Sequence, residues 1–200
     1  TECDLSLTYT QHLILREIDR LKPKQVHASP TCKYNAGFSS LNESKDESMC
    51  SITYPQYRAL QERELEFWYQ VAKKQAANGR WFSLEQPQSS RLFRIPVIQQ
   101  LKNLVPAGRT LNIFCFDQCR HGLCDPQTRR LIKKPTVIWT NNPYLAGELC
   151  LRCNCTDTHQ PIEGSVINES GLRQSRAEWT QNYPPAMAAA MARAVLNFHP

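Results

Sequence analysis

The chain has 200 residues, 41% of them hydrophobic and 21% charged, with a formal net charge of +6 at pH 7. That length can bury one sizeable core, and the absence of any run of about 18 apolar residues excludes a membrane-spanning helix. Only 7 Gly occur, and no Gly-rich phosphate loop of either common spacing is present, which excludes nucleotide binding of that kind.

Thr1-Glu2-Cys3-Asp4 lacks the basic-then-apolar pattern of a signal peptide. A start on Thr reads as an internal piece of a longer chain. Nine Cys is an odd count; a secreted disulfide scaffold is shorter and pairs its thiols, so reduced thiols and an intracellular location are expected. A pI near 8.9 favours an anionic partner, with nucleic acid first among the candidates and no membrane partner.

In chain order, Thr10 to Leu21 sets Ile14, Ile18 and Leu21 on one face of a helix that Pro23 stops. Gln25 to Ser29 is a short strand, followed directly by Pro30-Thr31-Cys32. Asn42 to Ser48 is a polar loop. Pro55 begins a long helix to about Asn78, with Leu60, Phe67, Trp68, Val71 and Ala72 on its apolar face and Gly79 at its end. Arg80 to Leu84 is a strand closing on Glu85-Gln86-Pro87. Ile95 to Val105 is a helix with Ile98, Leu101 and Val105 inward. Leu111 to Phe116 is a strand followed by Asp117-Gln118-Cys119, and Pro135 to Thr140 is another. No clear element falls between Asn141 and Gly171. Pro184 to Phe198 is an Ala-rich helix with Pro in its first turn.

Strands separated by helices predict an α/β protein with a parallel sheet covered on both faces. The last two strands lack a helix between them and can pair antiparallel. The whole reads as one domain over 1–200: an α/β core over 1–140, an irregular Cys-rich insertion over 141–172, and a C-terminal helix in 173–200.

Ligands of open α/β sheets bind beyond the carboxyl ends of the strands. Three polar motifs fall there: Pro30-Thr31-Cys32, Glu85-Gln86-Pro87 and Asp117-Gln118-Cys119. Cys32 could be a nucleophile if its pKa is lowered, and Glu85 could bind or protonate a ring nitrogen. The competing view is a small buried Cys and a helix-capping Glu. A separate group, Cys150, Cys153, Cys155 and His159, offers four soft ligands to Zn²⁺, with Cys119 or Cys124 as a more distant alternative. The competing view there is a set of reduced, partly buried thiols. Cys115, within a strand, reads as core.

These motifs resemble a family. Leu21-Lys-Pro-Lys-Gln-Val-His-Ala-Ser-Pro-Thr-Cys32, with Phe38-Ser39 downstream, is similar to the strand and catalytic loop of cytosine-C5 DNA methyltransferases. Trp81-Phe-Ser-Leu-Glu-Gln-Pro87 resembles the family's next motif, a strand ending in Glu-Asn. Cys119-Arg-His-Gly122 and Lys133-Lys-Pro-Thr-Val-Ile-Trp-Thr-Asn141 resemble the later pattern of methylase-like proteins in phages and retroelement polyproteins, and Tyr183-Pro-Pro-Ala-Met187 is similar to their C-terminal end.

The resemblance implies a Rossmann-like class I methyltransferase sheet, mostly parallel with a C-terminal antiparallel strand and without its first strands. It implies that Cys32 attacks C6 of a flipped cytosine, that Glu85 holds the base, and that S-adenosylmethionine gives the methyl group. Asp4 and Pro30 would meet the cofactor. Lys33, Arg120, Arg129, Arg130, Lys133 and Lys134 would hold the nucleic acid, DNA before RNA. Thr31 stands where the family has Pro, Lys33 where it has Gln, and Gln86 where it has Asn. No Gly-rich cofactor turn precedes Asp4, so an upstream segment or another chain would complete the sheet and cover its open edge. Two alternatives follow: a non-catalytic methyltransferase-like module within a polyprotein or larger assembly, and a zinc-stabilised nucleic-acid binder.

Overall fold

A computed structural model describes residues 5, 7–32, 54–105, 110–168 and 170–196. Asp4, Lys33, the Asn42–Ser48 stretch and Phe38-Ser39 lie outside the described residues. Helix α1 (Thr8–Leu21) is followed by strand β1 (Gln25–Ala28), helix α2 (Tyr54–Ala77) and strand β2 (Trp81–Pro87). Two 3-10 turns (Arg91–Arg94 and Gln100–Leu104) flank the short α3 (Pro96–Gln99), and β3 (Asn112–Asp117) leads into a 3-10 turn at Gln118–His121. Then come β4 (Pro135–Thr140), α4 (Leu145–Leu149), β5 (Ser165–Ile167), β6 (Arg173–Ser175), α5 (Arg176–Trp179) and α6 (Pro185–Leu196).

The strand order is β1-β2-β4-β3, with a separate β5-β6 hairpin. The sheet is mixed where a mostly parallel one was expected: β1 and β2 form the parallel pair and the rest is antiparallel. The reason is connectivity. A parallel neighbour needs a crossover, which α2 provides between β1 and β2, whereas β3 and β4 are joined without one. The expected C-terminal antiparallel strand is β4. This α/β sheet is compatible with a Rossmann-like one without being specific to it.

The chain divides into two compact units, the first 1–112 with 138–142, the second 113–137 with 143–200. In the first, α1 ends where Lys22 turns left-handed (φ 47) and its N–H bonds Ile18 O at 3.0 Å; Pro23 next to it cannot extend the helix. Ile18, Phe67 and Val71 form a core cluster with Ile14, Leu15, Val26 and Trp68 packed on it. Leu65 joins the buried set at 0% exposure, while Leu60 is exposed and off that face. Gly79 (φ 67) makes the turn into β2 that a side chain would strain. Buried Gln75 donates to Pro23 O and Trp81 O and accepts from Arg80 Nε, which ties the end of α2 to the starts of both strands. At the same end, Thr140 donates to Phe82 O, and the Asn141 amide pairs with Arg80 O and Phe82 N. The Thr-Asn motif is thus a clasp on the beginning of β2. Because the end of β4 meets that beginning, the two strands run antiparallel.

The expected helix over Ile95–Val105 is broken into α3 and its flanking 3-10 turns, although Ile98 and Leu101 are buried as predicted. Phe93 stacks on Trp139 at 4.8 Å, and Lys102 Nζ sits 5.0 Å above the same indole.

In the second unit, α4 packs on α6, and Leu145, Leu149, Met187 and Ala194 on these helices are all at 0% exposure. Arg193 reinforces the pair with a 2.8 Å bond to Glu148. Asp125, fully buried, receives the backbone N–H groups of Gln127 and Thr128 and the Arg176 guanidinium at 2.7 Å. Burial pushes its pKa up, and those donors outweigh it, so the carboxyl lies below its usual value. The stretch without a clear predicted element contains α4 and β5. Both are too short to show a period in sequence.

Candidate functional site

Parallel pairing sets Gln25 beside Trp81 and Ala28 beside Leu84. Continuing one step, Ser29 meets Glu85, and its Oγ donates to Glu85 Oε2 at 2.7 Å. Glu85 is 2% exposed and lies within the last residues of β2 rather than after it. The next step is also bonded: Gln86 Nε2 donates to Pro30 O at 2.6 Å, while its Oε1 accepts from Ser90 Oγ. From α2, Gln61 Nε2 donates to Thr31 O at 2.6 Å. The segment Ser29-Pro30-Thr31 is therefore held by three side chains, and half-buried Cys32 follows it at the carboxyl end of the sheet. The two motifs expected to converge do share this end.

Beneath them, His27 Nδ1 lies 2.8 Å from Ser83 Oγ, which also accepts from Gln25 Nε2. Burial pushes the imidazole down to about 4, so it is neutral at physiological pH. The apolar cavity between α2 and the two strands, lined by Val26, Trp68, Phe82 and Leu84 among others, measures about 20 Å³. That is room for about one water, far below the ~300 Å³ of an ordinary ligand site.

The predicted nucleic-acid residues that are described all belong to the second unit. Arg120 is half-buried; Arg129, Arg130 and Lys133 are exposed. Arg129 has a left-handed backbone (φ 60). Arg130 Nη2 donates to Thr158 O at 2.8 Å and Lys134 Nζ to Thr180 O at 2.7 Å, so both also hold backbone.

The second cluster is in this unit too. The ligand atoms of Cys119, Cys153, Cys155 and His159 all lie within 4.8 Å of one another, a group that could hold a metal ion. Cys150 is outside it: its thiol is exposed and faces Cys115 O at 3.6 Å. Its place is taken by Cys119, carried in by the turn after β3. The ligand set expected from spacing is corrected accordingly, with the distant alternative filled by Cys119 and not Cys124. Cys115 is half-buried rather than core. The cluster is positioned from three sides. Asp117, 1% exposed, accepts from Cys153 N at 2.8 Å, and its own N–H bonds Leu151 O at 3.0 Å. Beyond His159, Gln160 N bonds Leu131 O at 2.8 Å, and Thr158 O is held by Arg130.

The electrostatics of the thiols differ. The backbone N–H of Cys155 holds the Cys153 thiol below its ordinary value, with Cys119, Cys155 and Lys133 adding to the effect. Burial first, with neighbouring Cys153 and Cys155 adding to it, pushes Cys119 up to about 12. The thiolate is favoured at Cys153 and resisted at Cys119.

The chain matches no protein-family model, no curated protein and no solved structure. The structure is that of an α/β protein with a mixed sheet, a polar strand-end site and a Cys/His cluster. No helix among the described residues is long and apolar enough to cross a membrane.

Proposed function

We propose that the chain is a cytosine-C5 methyltransferase-like module that binds nucleic acid, DNA before RNA, with Cys32 and Glu85 acting on a flipped cytosine. The observation that carries this reading is the bond between Ser29 and Glu85, which sets a buried carboxylate beside the loop that ends in Cys32. A carboxyl group there can pair with N3 and the exocyclic amine of the base. The Cys32 thiolate adds to C6, forming a sulfur–carbon bond, and C5 takes up a proton; elimination reverses both. Both atoms are out of reach inside a duplex, so the base must leave the stack.

Methyl transfer from S-adenosylmethionine is the activity that the resemblance attaches to this fold. The described residues do not fit that cofactor. The Pro30 carbonyl is taken by Gln86, and the apolar cavity between α2 and the two strands is water-sized. No step is therefore derived through it.

The test is a single-stranded or mismatched oligonucleotide carrying 2-pyrimidinone in place of cytosine, which is electrophilic at C6. The expected outcome is a denaturant-stable adduct on a peptide containing Cys32, absent in Cys32→Ser. An oligonucleotide bound equally by both proteins, with no adduct, would favour the non-catalytic binding module instead.

A further inference from the structure

We propose that Cys119, Cys153, Cys155 and His159 bind one structural zinc ion that fastens the 150–160 segment to the turn after β3. This site is independent of whether Cys32 performs chemistry. Four protein ligands of Cys₃His type close the coordination sphere, leave no position for a substrate, and so define a structural rather than a catalytic zinc.

The geometry is close to what the ion requires. With Zn–S near 2.3 Å and Zn–N near 2.0 Å, tetrahedral edges are about 3.5–3.8 Å. Cys153 Sγ and His159 Nε2 already stand 3.5 Å apart, and the remaining ligand atoms lie within 4.8 Å of one another, so a contraction of about 1 Å completes the sphere. The supports bring the ligands together without themselves being ligands. Asp117 grips the backbone N–H of Cys153, Arg130 grips Thr158 O, and Leu131 O receives Gln160 N, on the two sides of His159. His121, near Cys119 in sequence, is committed to Leu149 O at 3.1 Å and is left out of the set.

The donor chemistry selects the ion. Three thiolates and an imidazole favour zinc over the oxygen-seeking cations. Binding releases the three thiol protons to solvent and leaves a complex of net charge −1, which exposed Lys133 is placed to moderate.

The experiment uses the full, untagged chain purified without chelator. Elemental analysis is expected to give about one zinc per chain. Alkylation followed by mass spectrometry is expected to leave Cys153 and Cys155 protected and Cys150 modified; after a strong chelator, all three react. Cobalt substitution is expected to give the visible bands of a tetrahedral thiolate site. His159→Ala and Cys155→Ser are expected to lose the metal, and Cys150→Ser to keep it. Metal-free protein, equal alkylation of Cys150 and Cys153 in the untreated chain, iron with sulfide in place of zinc, or loss of metal in Cys150→Ser would each overturn the proposal. The alkylation pattern needs no variant, so a misfolded mutant does not blunt the test.

Discussion

The Cys32 loop and the Cys153 segment are both irregular chain that follows regular structure, yet they are held in opposite ways. At the strand-end site, neighbouring side chains grip the loop: Gln86 and Gln61 take the carbonyls of Pro30 and Thr31, and Glu85 takes the Ser29 hydroxyl. Half-buried Cys32 follows directly on the gripped segment. In the Cys/His cluster, the grips fall on the backbone around the ligands, and four side chains converge on one another. The first arrangement ties one short segment to a rigid frame. The second collects groups that repel once ionised, a repulsion that the proposed cation would relieve.

Metal removal should separate the two regions most strongly. Structural zinc contributes on the order of 10 kcal/mol of apparent folding free energy in small zinc domains. A chelator should therefore expose the second unit's amides to hydrogen exchange while the β1–β2 pair of the first unit stays protected; uniform exposure would break the comparison. Acid should act in the same direction, because protons compete with the ion for thiolates.

The next effect lies in the second unit's buried ion pair. Arg176→Met leaves Asp125 as an uncompensated buried charge, with an expected loss of roughly 3–5 kcal/mol in denaturant unfolding. The folded pKa of Asp125 is depressed, so the stability it contributes is present above the unfolded aspartate pKa. That stability is lost as pH falls through the folded value. In the Arg176→Met variant this part of the acid dependence should shrink.

A comparable but smaller acid effect belongs to the first unit. His27 falls from 6.5 to about 4 on folding. It is neutral in both states above pH 6.5; between 6.5 and 4 the unfolded chain takes the proton and the folded chain does not. Stability should drop by about 3 kcal/mol over that window and level off below it. His27→Gln should flatten this slope, as read in chemical denaturation at several pH values.

The smallest expected change in stability is at Cys32. Cys32→Ser alters one half-buried atom and none of the Gln bonds to the loop, so its unfolding midpoint should stay within about 0.5 kcal/mol of the parent while analogue trapping disappears. Glu85→Gln should keep the Ser29 bond, since an amide oxygen still accepts, and should reduce trapping many-fold because the amide has no acidic proton to give to N3 as the thiolate adds to C6.

Much of the strand-end site is legible in sequence. A short strand before Pro30-Thr31-Cys32 and another through Glu85, with one long amphipathic helix between them, already imply a parallel neighbour pair and hence a shared carboxyl end. What sequence does not reveal there is the role of the glutamines. Gln86 stands where the resembled family has Asn, and only the structure shows its two ends spent on Pro30 and Ser90. The proposed metal ligands are half legible. Cys153, Cys155 and His159 sit close enough along the chain to be grouped by spacing, whereas Cys150, equally close, faces elsewhere.

The sequence by itself determined the local elements that carry strong periods or strong stops: α1 up to Pro23, α2 up to Gly79, the strands through Val26, Phe82, Phe114 and Ile138, and the Ala-rich α6. Hydrophobic period and turn chemistry act over a few residues, so they can be read locally. Tertiary structure alone decided that β4 runs antiparallel beside β2, that Thr140 and Asn141 clasp the start of that strand, and that Cys119 rather than Cys150 completes the cluster. Each of these depends on which distant segments come to lie side by side, and that is set by packing and by satisfying buried backbone groups.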